Sequence, residues 1–513
     1  MNAHRPILIA GAGPTGLTAA LELNRLGVPV RLIDQYAAPP TTSRALAVQS
    51  RTMELLHQRG IASDMLALGN RALAATLYDG ATRLGSIALD DIDSRFNFVL
   101  LLAQSETERL LRERLARDGV EVETTTRMVA FSQADSASSG VRLTLRRANG
   151  ELEEVDAAWL IDAEGAHSSA RHSLHLPFTG NSLPYTYAIA DLYLDGPVPE
   201  DELSIFIPEA GLVAAFPMGG RRFRILATER QPPAHDAPAP GLDAIQAAWS
   251  RSTALPVRLR DLQWSSRFRI NSRALQRLRH GAVFFAGDAA HIHSPAGGQG
   301  MNTGMQDVIN LAWKLALVYR GLAADALLDT YDEERLPIIA QLVASTGRAT
   351  DLFNSESHFV HTLLRHVLPQ ALRFDAVRAR GARLISELSV HYRHASLNGT
   401  CAGHGTLRAG ERMPDVALDD SANERLLDLL DPARFTILML GAPAAAPALR
   451  LARYGDLCVT RTIGAPGAAV RAALGSATVA VVRPDGYLLC AGARAHVQGQ
   501  LDAWAERWLA AQR

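Results

Sequence analysis

The hydrophobic pattern at the start of the chain changes period twice within thirty residues. Pro6-Ile-Leu-Ile-Ala10 is a short unbroken apolar run suited to a buried parallel strand, and Leu17 to Leu26 follows with helical periodicity. Gly27 closes that helix and Val28 to Asp34 supplies a second short strand, which completes a βαβ unit. A helix is predicted over Ser50 to Gly60, with Met53, Leu55 and Leu56 on its apolar side. Strand-like patterning occupies 75–101, an amphipathic charged helix Ser105 to Asp118, and strands Val141 to Leu145 and Val155 to Leu160. The Ser/Ala/Gly stretch from Ser132 to Gly140 reads as a loop.

From Leu183 to Phe268 the pattern is β-rich, with strands at Leu203 to Ile207, Leu212 to Phe216 and Phe223 to Thr228, interrupted by a Pro/Ala-rich loop, Gln231 to Gly241. Signals of the first type resume near Ala282, so the β-rich stretch is an insertion within the first domain. Helical patterning runs from Ala323 to His394. Beyond Cys401 the runs Phe435 to Leu440, Thr478 to Val482 and Tyr487 to Cys490 predict a small α/β module. The expected class is α/β: a Rossmann-like domain with an inserted β-rich domain and a C-terminal α/β module. The expected limits are 1–182, with 75–101 lending strands to the second domain, then 183–268, 269–395 and 401–513.

Composition narrows the function classes. A chain of 513 residues, 48% apolar and 20% charged, has material for two or three cores. Its 52 basic and 53 acidic residues give a formal charge of -1, which provides no electrostatic reason to bind nucleic acid. Three cysteines, Cys401, Cys458 and Cys490, are odd in number and form no CxxC, which argues against disulfides or a zinc site and for a cytoplasmic location. The apolar stretch Ile7 to Leu23 is broken by glycines and proline, so neither a signal peptide nor a membrane span is expected.

Two motifs carry chemistry. Gly11-Ala12-Gly13-Pro14-Thr15-Gly16 is a GxGxxG between a strand and a helix, with Asp34 at the end of the next strand. In such a loop the first glycine turns, the second lets backbone approach a pyrophosphate, the third lets helix pack on sheet, and the acid meets a ribose. This motif alone leaves FAD and NAD both open. The second, Ala286-Gly287-Asp288-Ala-Ala-His291-Ile-His293-Ser-Pro295, leads through Gly297 to Gly304 into a helix expected from Met305 to Arg320. Asp288 suits polyol hydroxyls, and the glycine loop with the positive end of the helix suits a partner that becomes anionic, as reduced flavin does. His291 and His293 have HxH spacing but no third ligand nearby, so no metal is expected.

Two such motifs, distant in sequence and able to close on one cofactor, resemble the class A FAD-dependent monooxygenases of the para-hydroxybenzoate hydroxylase type over residues 1 to about 395. The tail resembles the thioredoxin-like domain appended in the phenol and aromatic polyketide hydroxylase branch. The resemblance implies that Arg44, in Ser43-Arg44-Ala45, reaches FAD; that Gln104 lies near the ribityl chain; that Asp288 contacts FAD; that Pro295 lines the isoalloxazine; and that Gly298, Gly300, Met301 and Asn302 form the loop beside the ring. It further implies FAD with NADPH or NADH as co-substrate, and a C4a-hydroperoxide that hydroxylates an aromatic or polyketide substrate of secondary metabolism. No nucleophilic triad is required by this chemistry and none is evident, and the sequence does not name a base that would deprotonate the substrate. The middle signature departs from the usual Asp-Gly: Glu164 precedes Gly165, with Arg171 following. Baeyer–Villiger oxidation, epoxidation and a non-catalytic FAD-fold binding protein are the alternatives, and homodimerisation is left open.

Overall fold

The computed structural model describes residues 5–40, 45–133, 140–207, 211–229, 238–295, 297–355, 357–419, 424–441 and 452–510. The first apolar run forms the strand Ile7–Ala10, buried at every position, as an all-parallel environment demands. It sits inside a six-stranded sheet in the order Arg279–His280, Val283–Phe285, Leu160–Asp162, Ile7–Ala10, Val30–Ile33, Val122–Glu123. All neighbours are parallel except the antiparallel edge pair Arg279–His280 and Val283–Phe285. The carboxyl ends of three of these strands therefore deliver Gly11, Ala163 and Gly287 to one edge, where open α/β sheets bind ligands.

The inserted strands form an eight-stranded sheet in the order His291–Ile292, Arg258–Ala274, Thr179–Asp195, Arg222–Glu229, Val213–Pro217, Glu202–Phe206, Ala74–Asp79, Thr82–Ala88. Its outer face is closed by the helix Leu242–Ser252, with Phe206, Phe223, Ile225 and Trp249 fully packed. Its inner face packs Tyr187, Ile189, Leu226 and Ile270 toward Leu364 of the helix His358–His366. The C-terminal module holds a mixed sheet ordered Cys458–Ile463, Phe435–Leu440, Val479–Val482, Leu488–Gly492.

Several elements differ from expectation. The two 17-residue strands Thr179–Asp195 and Arg258–Ala274 are missing from the sequence reading, because Pro184, a register shift between Ser182 and Thr186, and an arginine-rich composition hide their period. Val155 to Leu160 is not one strand: Leu152–Ala157 pairs antiparallel with Val141–Arg146, and Leu160–Asp162 enters the parallel sheet. The helix expected from Met305 begins at Gly300 and runs to Tyr319, which places Gly300, Met301 and Asn302 in its first turn. Tertiary contact overrides the poor helix propensity of Gly300 and Gly304, since a side chain at Gly304 would lie 3.0 Å from the Gly287 Cα. The predicted loops 132–140 and 231–241 fall largely outside the described residues.

The C-terminal module is fastened by apolar and ionic contacts together. Trp313, Leu317 and Leu327 pack with Phe435, Val479, Val481 and Trp508. Beside them Glu334 pairs with Lys314 at 2.7 Å and with Arg483, which also holds Asp485 at 2.5 Å. Arg51 and Arg412 share Glu54, and Arg51 donates to the Asp485 carbonyl at 2.7 Å. Burial pulls Lys314 down to about 8 although Glu334 opposes it, and the cations Arg483 and Lys314 outweigh burial to hold Glu334 near 2. Removing one member of such a layer strands its partners in a medium that cannot solvate them. Glu334→Ala should therefore cost roughly 3–5 kcal/mol in denaturant unfolding; a loss below about 1 kcal/mol, the range of an exposed ion pair, would refute this reading.

Candidate functional site

Three glycines of the first motif do three different jobs. Gly11 has φ +98°, and a Cβ there would lie 2.3 Å from the Ala163 carbonyl oxygen. A Cβ on Gly16 would lie 1.8 Å from the Gly11 oxygen, so the helix Pro14–Arg25 can approach the turn only without one. Gly13 has φ -75° and nothing within 4 Å of its Cβ direction. No fold contact requires glycine there, and the open space lies at an uncapped helix N-terminus, as an approaching phosphate needs. Asp34 accepts from the Ala12 N–H at 2.7 Å and the Tyr36 N–H at 2.9 Å, which pins the strand end to the loop.

Of a second wall of the site, the sequence reading named Gln104 and missed Glu108 and Arg112. Gln104, Glu108 and Arg112 stand at i, i+4 and i+8 on the helix Gln104–Arg117 and face one way. Gln104 donates to Glu108 Oε1 at 2.8 Å, and Arg112 donates to the Ala12 carbonyl at 2.8 Å. Glu108 Oε2 is buried without a partner among the described residues, and burial raises its carboxyl. The spacing was the available signal, but it is also that of an ordinary solvated helix face. The Gln104 N–H bonds the Ala45 carbonyl at 3.2 Å, which brings the 45–49 segment to this wall. Arg44 itself lies outside the described residues.

The second motif closes from the opposite side. Asp288 is exposed in the turn Gly287–Ala289, and Thr15 Oγ1 lies 2.5 Å from where a Cβ would sit on either Gly287 or Gly304. The first motif, the second motif and the Gly300–Tyr319 helix thus meet at one point. Beneath it Asp307 accepts from the Gly287 N–H at 3.1 Å, from His291 Nε2 at 2.7 Å and from Arg335 Nε at 2.8 Å. His293 bonds the Ser294 carbonyl at 2.8 Å through Nδ1, leaving Nε2 buried and without a partner among the described residues. Burial and then His291 pull His293 down to about 4. No group of three metal-type ligands occurs among the described residues.

Pro295 is half-buried and Met301 packs against the main core. Asn302 is committed to protein: its amide donates to Ala47 and Gly298 carbonyls and its oxygen accepts from the Gln49 N–H. It ties the 45–49 segment to the glycine loop, where a Cβ on Gly298 would approach the Ala47 Cβ to 2.9 Å. Gln49 Oε1 is a further buried acceptor without a partner among the described residues. In the middle signature Glu164 accepts from the Ser169 N–H at 2.8 Å, and Arg171 donates to the Ala289 carbonyl at 2.9 Å. Asp162, fully buried, accepts from Ser168 Oγ and the Glu164 N–H; burial and then the Glu164 charge push its carboxyl up to about 7.

An open space at Gly13, buried acceptors without a partner among the described residues on two walls, and exposed Asp288 form a candidate dinucleotide site at the carboxyl edge of the six-stranded sheet. The family described as FAD binding domain matches residues 4–346, and the aromatic-ring hydroxylase C-terminal family matches 406–511. The chain is 37% identical to 6-methylpretetramide 4-monooxygenase of Streptomyces rimosus, over 95% of this chain and 91% of that protein. Its structure resembles OxyS anhydrotetracycline hydroxylase from Streptomyces rimosus at TM-score 0.80 and 30% identity, covering 99% and 100% of the two chains. It also resembles the flavin-dependent monooxygenase PieE in complex with FAD and substrate, at TM-score 0.79 and 25% identity over 98% of both. The chain belongs to the FAD-dependent aromatic-ring hydroxylases. It is a flavoprotein monooxygenase that holds FAD and uses the NAD(P)H typical of its class.

Two tests follow from the geometry. Gly13→Ala should fold with near-native Tm and lose most bound flavin, whereas Gly16→Ala should fail to fold; equal flavin content and equal Tm in both would refute the division of labour. Asp162 is raised in the folded state, so the stability its neutral form lends is complete below about 4 and is lost as pH rises through about 7. Asp162→Asn, which cannot ionise, should flatten the dependence of Tm on pH across that window, and an unchanged profile would exclude an ionising Asp162.

Proposed function

We propose that the substrate is a polycyclic aromatic polyketide, hydroxylated on an electron-rich ring carbon in the space between the flavin and the inner face of the eight-stranded sheet. The observation that carries this reading is an asymmetry of packing. On the outer face Phe206, Phe223 and Trp249 are fully buried, whereas on the inner face Tyr185, Phe216, Trp264 and Phe268 are only half-buried. Half-buried aromatics beside a cofactor offer flat stacking surface to a flat ligand. The names of the relatives point the same way, one a 6-methylpretetramide monooxygenase and one an anhydrotetracycline hydroxylase.

FAD supplies the redox chemistry when bound; the chain's own residues bind, orient and exclude water. Gly11, Ala12, Gly13, Pro14, Thr15 and Gly16 would cradle its pyrophosphate, Asp34 its ribose, and Gln104 and Asp288 its polyol, with Glu164 and Arg171 bracing the loop between and Arg44 reaching FAD as the resemblance implies. Pro295, Gly298, Gly300, Met301 and Asn302 would border the ring. Arg224, paired with Asp191 at 2.6 Å and donating to the Ala45 carbonyl at 3.2 Å, joins the substrate sheet to this cofactor wall. Such contact holds the reacting carbon in line, where small displacements cost rate.

The domain limits 1–182, 183–268, 269–395 and 401–513 follow this division of labour. A cytoplasmic location suits three free thiols. A homodimer would be formed through the exposed apolar side chains Phe359, Leu363, Val367 and Phe374, and sedimentation at micromolar concentration tests it. No helix among the described residues is long and apolar enough to cross a membrane.

The substrate reading is tested by NADPH and NADH oxidation in the presence of tetracyclic and angular aromatic polyketides. The expected result is stimulation coupled to a product one oxygen heavier whose NMR shows a new aromatic hydroxyl. A lactone or epoxide would replace hydroxylation by another oxygen insertion, and no stimulation by any polycyclic aromatic would overturn the substrate class. Trp264→Ala should lower kcat/KM by about tenfold, the loss of a stacking surface, and Asp288→Ala should weaken FAD binding.

A further inference from the structure

The turn that carries Asp288 is held from behind by a chain of buried groups that ends in the C-terminal module. Asp307 takes both the Gly287 N–H and His291, so its ionised carboxylate fixes the shape of the turn. Arg335 neutralises it: Nε donates to Asp307 at 2.8 Å, one amino group to the Thr303 carbonyl at 3.2 Å, and the other to the Tyr392 hydroxyl at 3.0 Å. All these groups are buried. The Tyr392 ring lies 4.4 Å from that of Tyr487, Arg483 stands over both rings, and the Tyr392 N–H bonds the Gly410 carbonyl at 2.7 Å. Tyr392 is therefore built into the C-terminal module on one side and onto Arg335 on the other.

We propose that Tyr392 is a positioning residue for FAD, through which the C-terminal module sets the orientation of Arg335, hence the ionisation of Asp307 and the grip of the Gly287–Ala289 turn on the cofactor.

The physical argument is a count of acceptors. An ionised Asp307 accepts three donors; a protonated one must itself donate and cannot serve all of them. Burial alone would favour the protonated form, and Arg335 first and His291 second outweigh it, so Asp307 stays below the usual carboxylate range. The other groups facing Asp307 are Tyr331 from the helix that carries Arg335 and Glu387 from the segment after the helix Asp375–Ile385. Tyr331 is raised far above its usual range and Glu387 is pushed up to about 8, in both cases chiefly by burial, so neither adds negative charge at neutral pH. Arg335 is thus the cation on which Asp307 depends, and the Tyr392 hydroxyl is one of three anchors on its guanidinium. A carboxylate depressed in this way keeps its contribution above the unfolded carboxylate range and loses it as pH falls through the folded value. Loosening Arg335 raises that value, so the acid limit of FAD binding moves upward.

The experiment is a titration of full-length apoprotein with FAD, followed by flavin fluorescence from pH 3 to 8, a range that reaches below the usual carboxylate value, with Tm measured in parallel. Tyr392→Phe keeps the ring stack and loses only the hydroxyl. It should raise the FAD Kd roughly tenfold, the scale of one hydrogen bond to a charged group, and shift the acid limb to higher pH while the apoprotein Tm stays near wild type. Arg335→Lys keeps the charge and loses the fork, and adding Tyr392→Phe to it should change Kd no further. Wild-type Kd and pH limb in Tyr392→Phe would overturn the proposal. A fall in Tm with no movement of the acid limb, or additive effects in the double variant, would overturn it as well, since both describe a merely structural tyrosine.

Discussion

One fully buried carboxylate organises the flavin edge of this protein. Asp307 sits in the second turn of the Gly300–Tyr319 helix, yet its partners come from the Gly287 turn, the His291–Ile292 strand and the Thr330–Phe353 helix. Because a buried charge is tolerated only when its hydrogen bonds are complete, these elements have little freedom relative to one another. The glycine contacts enforce the same convergence sterically: Thr15 reaches both Gly287 and Gly304, so the two cofactor motifs touch across nearly 300 residues of sequence. Precision at the site comes from this meeting point.

The eight-stranded sheet shows how one element serves stability and specificity at once. Its outer face carries a closed apolar core under Leu242–Ser252, which supplies rigidity. Its inner face carries half-buried aromatic side chains and Arg224, which reaches back to the Ala45 carbonyl. Strand alternation makes this possible, because neighbouring residues point to opposite sides. Phe223 belongs to the core, while Arg224 points the other way and pairs with Asp191.

The C-terminal module contributes no cysteine pair, and Cys490 is buried with its thiol pushed up to about 12 by burial. Thiol–disulfide exchange needs an accessible, low-pKa thiol, which this sheet does not offer. Its role lies in the contact it makes. Arg483 and Asp485 complete the charge layer around Glu334, and Tyr487 supports Tyr392, so the module reaches the residues that support the flavin turn without touching the turn.

The cofactor and the fold class were legible in the sequence because each rests on local constraints. A GxGxxG between strand and helix, a Gly-Asp turn after an apolar run, and a change from helical to strand period are set by backbone sterics and by residues a few positions apart. The substrate face was not legible. The long strands Thr179–Asp195 and Arg258–Ala274 take their register from each other, and how far Trp264 and Phe268 are covered is set by what packs on either side of the sheet. The Asp307, Arg335 and Tyr392 chain was invisible for the same reason: each residue, taken alone, is an ordinary polar position on a helix or in a loop. Sequence determined which cofactor and which architecture. Only the tertiary structure decided which polar side chains are buried together, because desolvation and the partners that offset it exist only once distant segments are packed.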